Sequence, residues 1–217
     1  MESLSLSSTA ALAAIEAVRR HFAARLAARR ETPAITKELE NVLSLLGTVD
    51  FSRVDEACLR ASGHPVIRQL RQTGIHGGDA SSAAVLDAFL PHLDALPWRY
   101  SYDPRPDAPD IGERMAWAEL VGPIAPFHSN RVCLGLTAIG PHLLYPPHRH
   151  PAVETYLVVS GSADWTAEGI ARTHPPGALI LHPANIAHAM ETGDEPLLAA
   201  YAWTGDVETL SAYLSEA

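Results

Sequence analysis

Between about Ser8 and about Leu96, apolar residues recur every three or four positions. Leu12, Ile15, Val18, Phe22 and Leu26 form one run, and Leu39, Val42, Leu43 and Leu46 form a second. That spacing lines one face of a helix. Breaks fall at Thr32-Pro33, at Gly47, around ASGHP and at TGIHGGDASS, where Asp79 or Ser81 is a candidate N-cap for a helix carrying Val85, Leu86, Phe89 and Leu90. About four helices are expected. After Pro97 the texture changes. YSYDPRPDAPDIGE reads as a proline-rich connector, and short apolar or alternating runs follow, bounded by Gly and Pro: MAWAELVG, RVCLGLTAIG, ETYLVVSGSADW, GALILHP and LLAAYAWTG. Many short strands without intervening helices predict an antiparallel sandwich or barrel. The final DVETLSAYL predicts a short closing helix. The chain therefore reads as a helical region over residues 1–97 and a mainly β domain over 98–217, with the helices expected to cover one end of the barrel as a lid.

Charge and composition narrow the partners. The chain's 217 residues carry 16 Lys+Arg against 25 Asp+Glu, a formal net charge of −9, whereas a nucleic-acid surface needs clustered positive charge. The basic residues that do cluster, Arg19, Arg20, Arg25, Arg29 and Arg30, fall on one helical stretch and read as its solvated face. No apolar run is long enough to cross a membrane. The N-terminus puts an acid first and its arginines after the apolar run, the reverse of a signal peptide. Cys58 and Cys133 are too few for a disulfide framework. A soluble cytoplasmic protein with a small-molecule partner is expected, without nucleic acid or membrane, and the apolar barrel edges and arginine-rich helix allow a homodimer.

The candidate chemistry lies in HRHPAVETYLVVSG, residues 148–161. In an extended chain, side chains two apart share a face, so His148, His150, Glu154 and Tyr156 are expected to point the same way. Burying a carboxylate among imidazoles is costly unless they are paired, and a divalent cation removes that cost by taking them as ligands. GALILHPANIAHAMET supplies a further histidine, His188, on a neighbouring strand. The remaining histidines, among them His21, His76 and His182, carry no ligand spacing of their own, and His182 is expected in a supporting or rim position.

The spacing resembles the two-part signature of the cupins, G-x5-H-x-H-x3,4-E-x6-G followed by G-x5-P-x-G-x2-H-x3-N. His148, His150, Glu154 and Gly161 match the first part, and Gly177, Pro183 and His188 match the second. Seven residues rather than five separate Gly140 from His148. Asn185 stands at the second part's glycine, and Thr192 at its final asparagine. With YPPHRHPAVETYLVVSG, ELVGPIAPFHSNRVCLG and ANIAHAMETGDEPLLAAYAWTG, the chain resembles the bacterial cupin-type dimethylsulfoniopropionate (DMSP) lyases. That resemblance implies a single double-stranded β-helix (jelly-roll) barrel behind a helical N-terminal region, and cleavage of DMSP to acrylate and dimethyl sulfide. It implies metal ligands at His148, His150, Glu154 and His188, with either of His148 and His150 able to bind while the other supports the site or contacts substrate, catalytic tyrosines at Tyr156 and Tyr145, and a pocket tryptophan at Trp203. Tyr201 shares a strand face with Trp203 and offers a second aromatic face to a sulfonium. Imidazoles plus a carboxylate suit one divalent transition metal, whether iron, zinc, manganese, nickel or cobalt. A different cupin metalloenzyme, such as a dioxygenase or isomerase acting on another small carboxylate, and a non-catalytic binding cupin are the rival readings. Tyr156 beside Glu154 favours a lyase, which needs a base there.

Overall fold

The computed structural model describes residues 5–75 and 77–214, so His76 lies outside the described residues. Among the described residues, four α-helices occupy the first part, α1 Ser8–Ala28, α2 Pro33–Leu46, α3 Val66–Thr73 and α4 Ala80–Phe89, with short 3-10 helices at Glu56–Leu59 and Leu90–Ala95. Each expected break has a local cause. Thr32 caps α2 by accepting from the Ile35 amide, with Pro33 opening the helix, and Asp79 caps α4 by accepting from the Ser81 and Ser82 amides. A short helix, α5 (Ile111–Arg114), ends the connector.

Eleven strands follow among the described residues: β1 Met115–Gly122, β2 Phe127–His128, β3 Val132–Ile139, β4 Leu144–Arg149, β5 Val153–Ser160, β6 Ala163–Ala167, β7 Ile170–His174, β8 Leu179–His182, β9 His188–Thr192, β10 Leu197–Thr204 and β11 Ala212–Tyr213. They form two sheets, ordered β2-β1-β3-β10-β5-β8 and β11-β4-β9-β6-β7. Tyr156, Val158 and Tyr201 from the first sheet pack with Tyr145, Trp165 and Met190 from the second, so the sheets face each other as the expected cupin jelly roll. The expected closing helix is absent. Asp206 instead accepts from the Glu208 and Thr209 amides in a turn, and the chain then extends to add β11 to the edge of β4.

The helices do not cap the barrel. α2 packs on β3, β5, β8 and β10, α3 on β3, and α4 on β5. Leu134, Leu136, Leu157, Val159 and Leu198 on the outer face of the six-stranded sheet join Leu39, Val42, Leu46 and Phe89 in one core. This explains why β3 is apolar apart from Thr137, since both of its faces are buried. Arg25 leaves the solvated face assigned to its helix. It pairs with Glu31 and donates to the Gly177 carbonyl, tying α1 to the turn before β8.

The departures from the cupin signature have local explanations. Asn185 has φ 64°, a left-handed conformation that asparagine tolerates better than most residues, and so serves where the signature has glycine. Gly161 (φ 72°) cannot be replaced in the same way, because a Cβ there would lie 1.9 Å from the Pro196 carbonyl oxygen. Thr192 donates to the Gly140 carbonyl and accepts from the Leu143 amide, anchoring the segment that leads into β4.

Asp79→Ala removes the α4 cap and is expected to lower unfolding free energy by about 1 kcal/mol in urea denaturation. The Ser82 amide is the main cause holding the Asp79 carboxyl down to about 2, from an ordinary 3.8. The wild-type advantage over the variant should therefore be complete above about pH 4 and disappear as pH falls through about 2.

Candidate metal centre and cavity

Register decides which side chains meet. On β5, Glu154 lies between His182 of β8 and Trp203 of β10, and His148 of β4 lies opposite His188 of β9. The four residues expected on one strand face in fact divide between the sheets. His148 belongs to β4, His150 and Pro151 make the crossing, and Glu154 and Tyr156 belong to β5. They converge because both sheets turn these side chains into the barrel.

His150 Nε2 lies 3.0 Å and His188 Nε2 3.3 Å from Glu154 Oε2, while the Trp203 indole donates to Oε1 at 2.6 Å. One donor atom from each of His150, Glu154 and His188 falls within 4.8 Å of the others, and all three residues are buried. His148 stands beside this group, its ring centroid 4.1 Å from that of His188. The Nδ1 atoms of His148, His150 and His188 each face a backbone carbonyl, of Pro146 at 2.8 Å, Ala152 at 3.0 Å and Ile186 at 3.0 Å. An Nδ1–H donated to a carbonyl fixes the tautomer and leaves Nε2 as the free lone pair, the usual preparation of a metal-binding imidazole.

The group is electrostatically incomplete. His188 Nε2 is buried and makes no hydrogen bond, and lone pairs facing a carboxylate require a proton or cation among them. Burial alone would raise the Glu154 carboxyl, but His150 and His188 hold it well below the usual carboxylate range. Burial also opposes charge on His150, yet Glu154 prevails and holds that imidazole above its ordinary value. The donor set, the prepared tautomers and the unsatisfied Nε2 together fit a single divalent transition metal. His182 stacks on His188 at 4.1 Å between centroids, and neither of its ring nitrogens is hydrogen-bonded. It is a buried neighbour of the site, with burial pushing its pKa down to about 3.

A cavity of about 380 Å³ opens beside Glu154, lined by Tyr145, Tyr156, Tyr201 and Trp203, and also by Tyr102, Trp117, Arg99 and Glu119. No residue of the four helices lines it, so the expected lid is not there. The helices stay on the outer face because their apolar stripes match that face. Tyr145 stacks on His148 at 3.8 Å between centroids and shares a hydrogen bond with Tyr102, and Trp203 stacks on His150 at 4.2 Å. Burial raises the Tyr145, Tyr156 and Tyr201 phenols well above their ordinary value, and the Glu154 carboxylate adds to the effect at Tyr156. Sequence reasoning missed Arg99, Tyr102, Trp117 and Glu119. Strand alternation in MAWAELVG would have placed Trp117 and Glu119 on one face. Tyr102 lies in an irregular connector that carries no periodic signal.

Similarity to known proteins bears on this arrangement. The family model described as dimethylsulfoniopropionate lyase matches residues 51–199, more than half of the chain. The chain belongs to the DMSP lyase family. It is 39% identical over 118 residues to the putative DMSP lyase DddL of Cereibacter sphaeroides, a match covering 54% of this chain and 49% of that protein. It is 35% identical over 132 residues to the DMSP lyase DddQ of Ruegeria pomeroyi, covering 58% and 64%. The chain thus spans about half to two thirds of the length of these curated relatives. Its fold superimposes on a chain from the crystal structures of the DMSP lyases RdDddP and RnDddQII with a TM-score of 0.75 and 27% identity, covering 96% of this chain and 100% of that one. The crystal structure of DddQ from Ruegeria pomeroyi gives a TM-score of 0.70 and 28% identity, with 91% and 96% covered.

Trp203→Phe deletes the indole N–H that orients Glu154. It is expected to weaken divalent-metal binding by about 10–100-fold in a chelator-competition titration, with the far-UV circular dichroism unchanged.

Proposed function

We propose that the chain is a metal-dependent lyase that cleaves DMSP to acrylate and dimethyl sulfide by β-elimination, with Tyr156 as general base. The observation that carries this reading is the buried His150–Glu154–His188 group, whose Glu154 lines an aromatic cavity that contains Tyr156, in a chain of the DMSP lyase family. His150, Glu154 and His188 would hold the metal, with His148 beside them as a fourth donor. When bound, a divalent cation acts as a Lewis acid toward a carboxylate and spreads the charge that develops as the adjacent carbon loses its proton.

The remaining work falls to side chains. Tyr156 takes the proton alpha to the carboxylate, the electron pair forms the carbon–carbon double bond, and the bond from the beta carbon to sulfur breaks with its pair on sulfur. The leaving dimethyl sulfide is neutral and needs no acid. Burial and Glu154 raise the Tyr156 phenol well above its ordinary value, so positive charge at the metal site and on the sulfonium would be what favours the phenolate. Tyr145, fixed by Tyr102 and His148, is the second tyrosine within reach of the same space. Tyr201 and Trp203 offer faces to the sulfonium. The cavity, at about 380 Å³, suits a small substrate. A cytoplasmic setting accords with unbridged Cys58 and Cys133, and among the described residues no helix is long and apolar enough to cross a membrane.

Purified, metal-reconstituted protein given DMSP should release dimethyl sulfide into the headspace, measured by gas chromatography, and metal-stripped protein should not. Absence of release across several divalent metals would overturn the reading. Tyr156→Phe should keep its metal and lose about 10²–10⁴ in kcat; near-normal turnover would remove Tyr156 as the base. Glu154→Ala and His188→Ala should each lower metal stoichiometry by elemental analysis, and unchanged stoichiometry would take them out of the ligand set.

A further inference from the structure

One charged pair in the cavity has no part in the chemistry proposed above. Glu119 of β1 pairs in register with Gly135 of β3, Gly135 with Tyr201 of β10, and Tyr201 with Tyr156 of β5. These four positions form one row across the sheet, and side chains in register share a face. Gly135 leaves a gap in the row, and the Tyr201 ring fills it. A Cβ on Gly135 would lie 2.8 Å from Tyr201 Cε1 and Cζ. The Tyr201 ring therefore lies across β3 toward β1, so the aromatic wall runs without a break from Tyr156 toward Glu119.

The Glu119 carboxylate is set into the wall at that far end. A Cβ on Gly122 would lie 2.3 Å from Glu119 Oε1, so the absence of a side chain there makes room for the carboxylate. Oε1 is buried without a partner at hydrogen-bonding geometry, and Oε2 lies 3.5 Å from Arg99 Nη2; burial raises the Glu119 carboxyl, while Arg99, the Ile124 amide and the Cys133 thiol oppose that rise. The two members of the pair differ in exposure. The Arg99 side chain is 31% exposed and that of Glu119 is 11%, so water screens the guanidinium more than the carboxylate. The charged residues lining the cavity are Glu119, Glu154 and Glu208 against Arg99. With Glu154 committed to the metal group, Glu119 and Glu208 stand against Arg99 among the remaining charged residues of the lining.

We infer that Glu119 gives this cavity its preference for a cationic substrate head, by holding an unpaired carboxylate oxygen at the end of the Tyr156–Tyr201 aromatic wall remote from the metal group. The inference rests on the lyase reading for the direction in which the substrate lies, carboxylate toward Glu154 and sulfonium toward Glu119. It assigns to Glu119 the larger share of the discrimination, beyond the cation–π attraction that the Tyr201 and Trp203 faces supply. Glu119 is thus a specificity-determining residue rather than a catalytic one.

The test uses a matched pair of ligands: the trimethylammonium analogue of DMSP, and its carbon isostere with a tert-butyl group in place of the trimethylammonium. Both bind through a carboxylate and differ only in charge. Isothermal titration calorimetry on the metal-loaded full chain should give wild type about a tenfold preference for the cationic ligand. Glu119→Gln should lose most of that preference while its Kd for the isostere stays within about twofold. A wild-type ratio near one, an unchanged ratio in Glu119→Gln, or equal weakening of both ligands would overturn the inference. If Glu119→Gln does not fold by circular dichroism, Glu119→Asp serves, since it keeps the charge and draws it back from the cavity, and the ratio should fall between the two. Headspace dimethyl sulfide from the same wild-type preparation tests the lyase reading separately, because the calorimetry needs no turnover.

Discussion

Glu154 is a carboxylate held almost entirely out of water, with 2% of its side chain exposed, and much of the surrounding structure answers that burial. An isolated buried carboxylate would take up a proton to escape the desolvation cost. Here it keeps its charge because His150 and His188 approach one oxygen and the Trp203 indole donates to the other. Those partners come from the crossing after β4, from β9 and from β10. Both sheets must therefore close before the group exists. The backbone carbonyls that face the Nδ1 atoms of His150 and His188 leave their Nε2 atoms turned toward Glu154, a donor set compatible with one divalent cation.

A polar centre of this kind needs a scaffold stabilised elsewhere, and the helical layer supplies it. The outward-facing residues of the six-stranded sheet are aliphatic and lie under α2, α3 and α4. The inward-facing residues of the same strands carry Glu154, Tyr156, Tyr201 and Trp203. Division of labour between the two faces of one sheet lets the interior be shaped for ligands while the outer face supplies most of the apolar burial. The helices thus support the site from behind without touching the cavity.

The tyrosines carry the electrostatic consequence. Burial raises each phenol in the cavity, and the Glu154 charge raises Tyr156 further. Under the proposed reading, positive charge arriving with a metal and a cationic substrate would oppose that rise at the phenol. Glu119, at the other end of the Tyr201 ring, lies in register away from Tyr156 and is proposed to act on the substrate's cationic head rather than on the base. The two carboxylates sit at opposite ends of one aromatic wall and have separable effects.

The sequence alone was enough to read the helical and β segments, because the apolar period changes from helical to strand-like after Pro97, and Thr32, Pro33 and Asp79 mark local boundaries through capping chemistry. The spacing of His148, His150, Glu154 and His188 was also legible, since the cupin signature is a local pattern. Tertiary structure decided the rest. DVETLSAYL, helical by its apolar spacing, became a turn and an edge strand because Asp206 captures two amides and β4 offers an unpaired edge. The helices went to the sheet's outer face rather than over the cavity, because burial of matching apolar surface decides where they pack. His148 and Glu154 meet by facing each other from two sheets, not by sharing one strand. Arg99, Tyr102, Trp117 and Glu119 entered the cavity through strand register and the path of the connector. No local pattern in the chain encodes which strands become neighbours, so the far half of the cavity exists only once the sheets have closed.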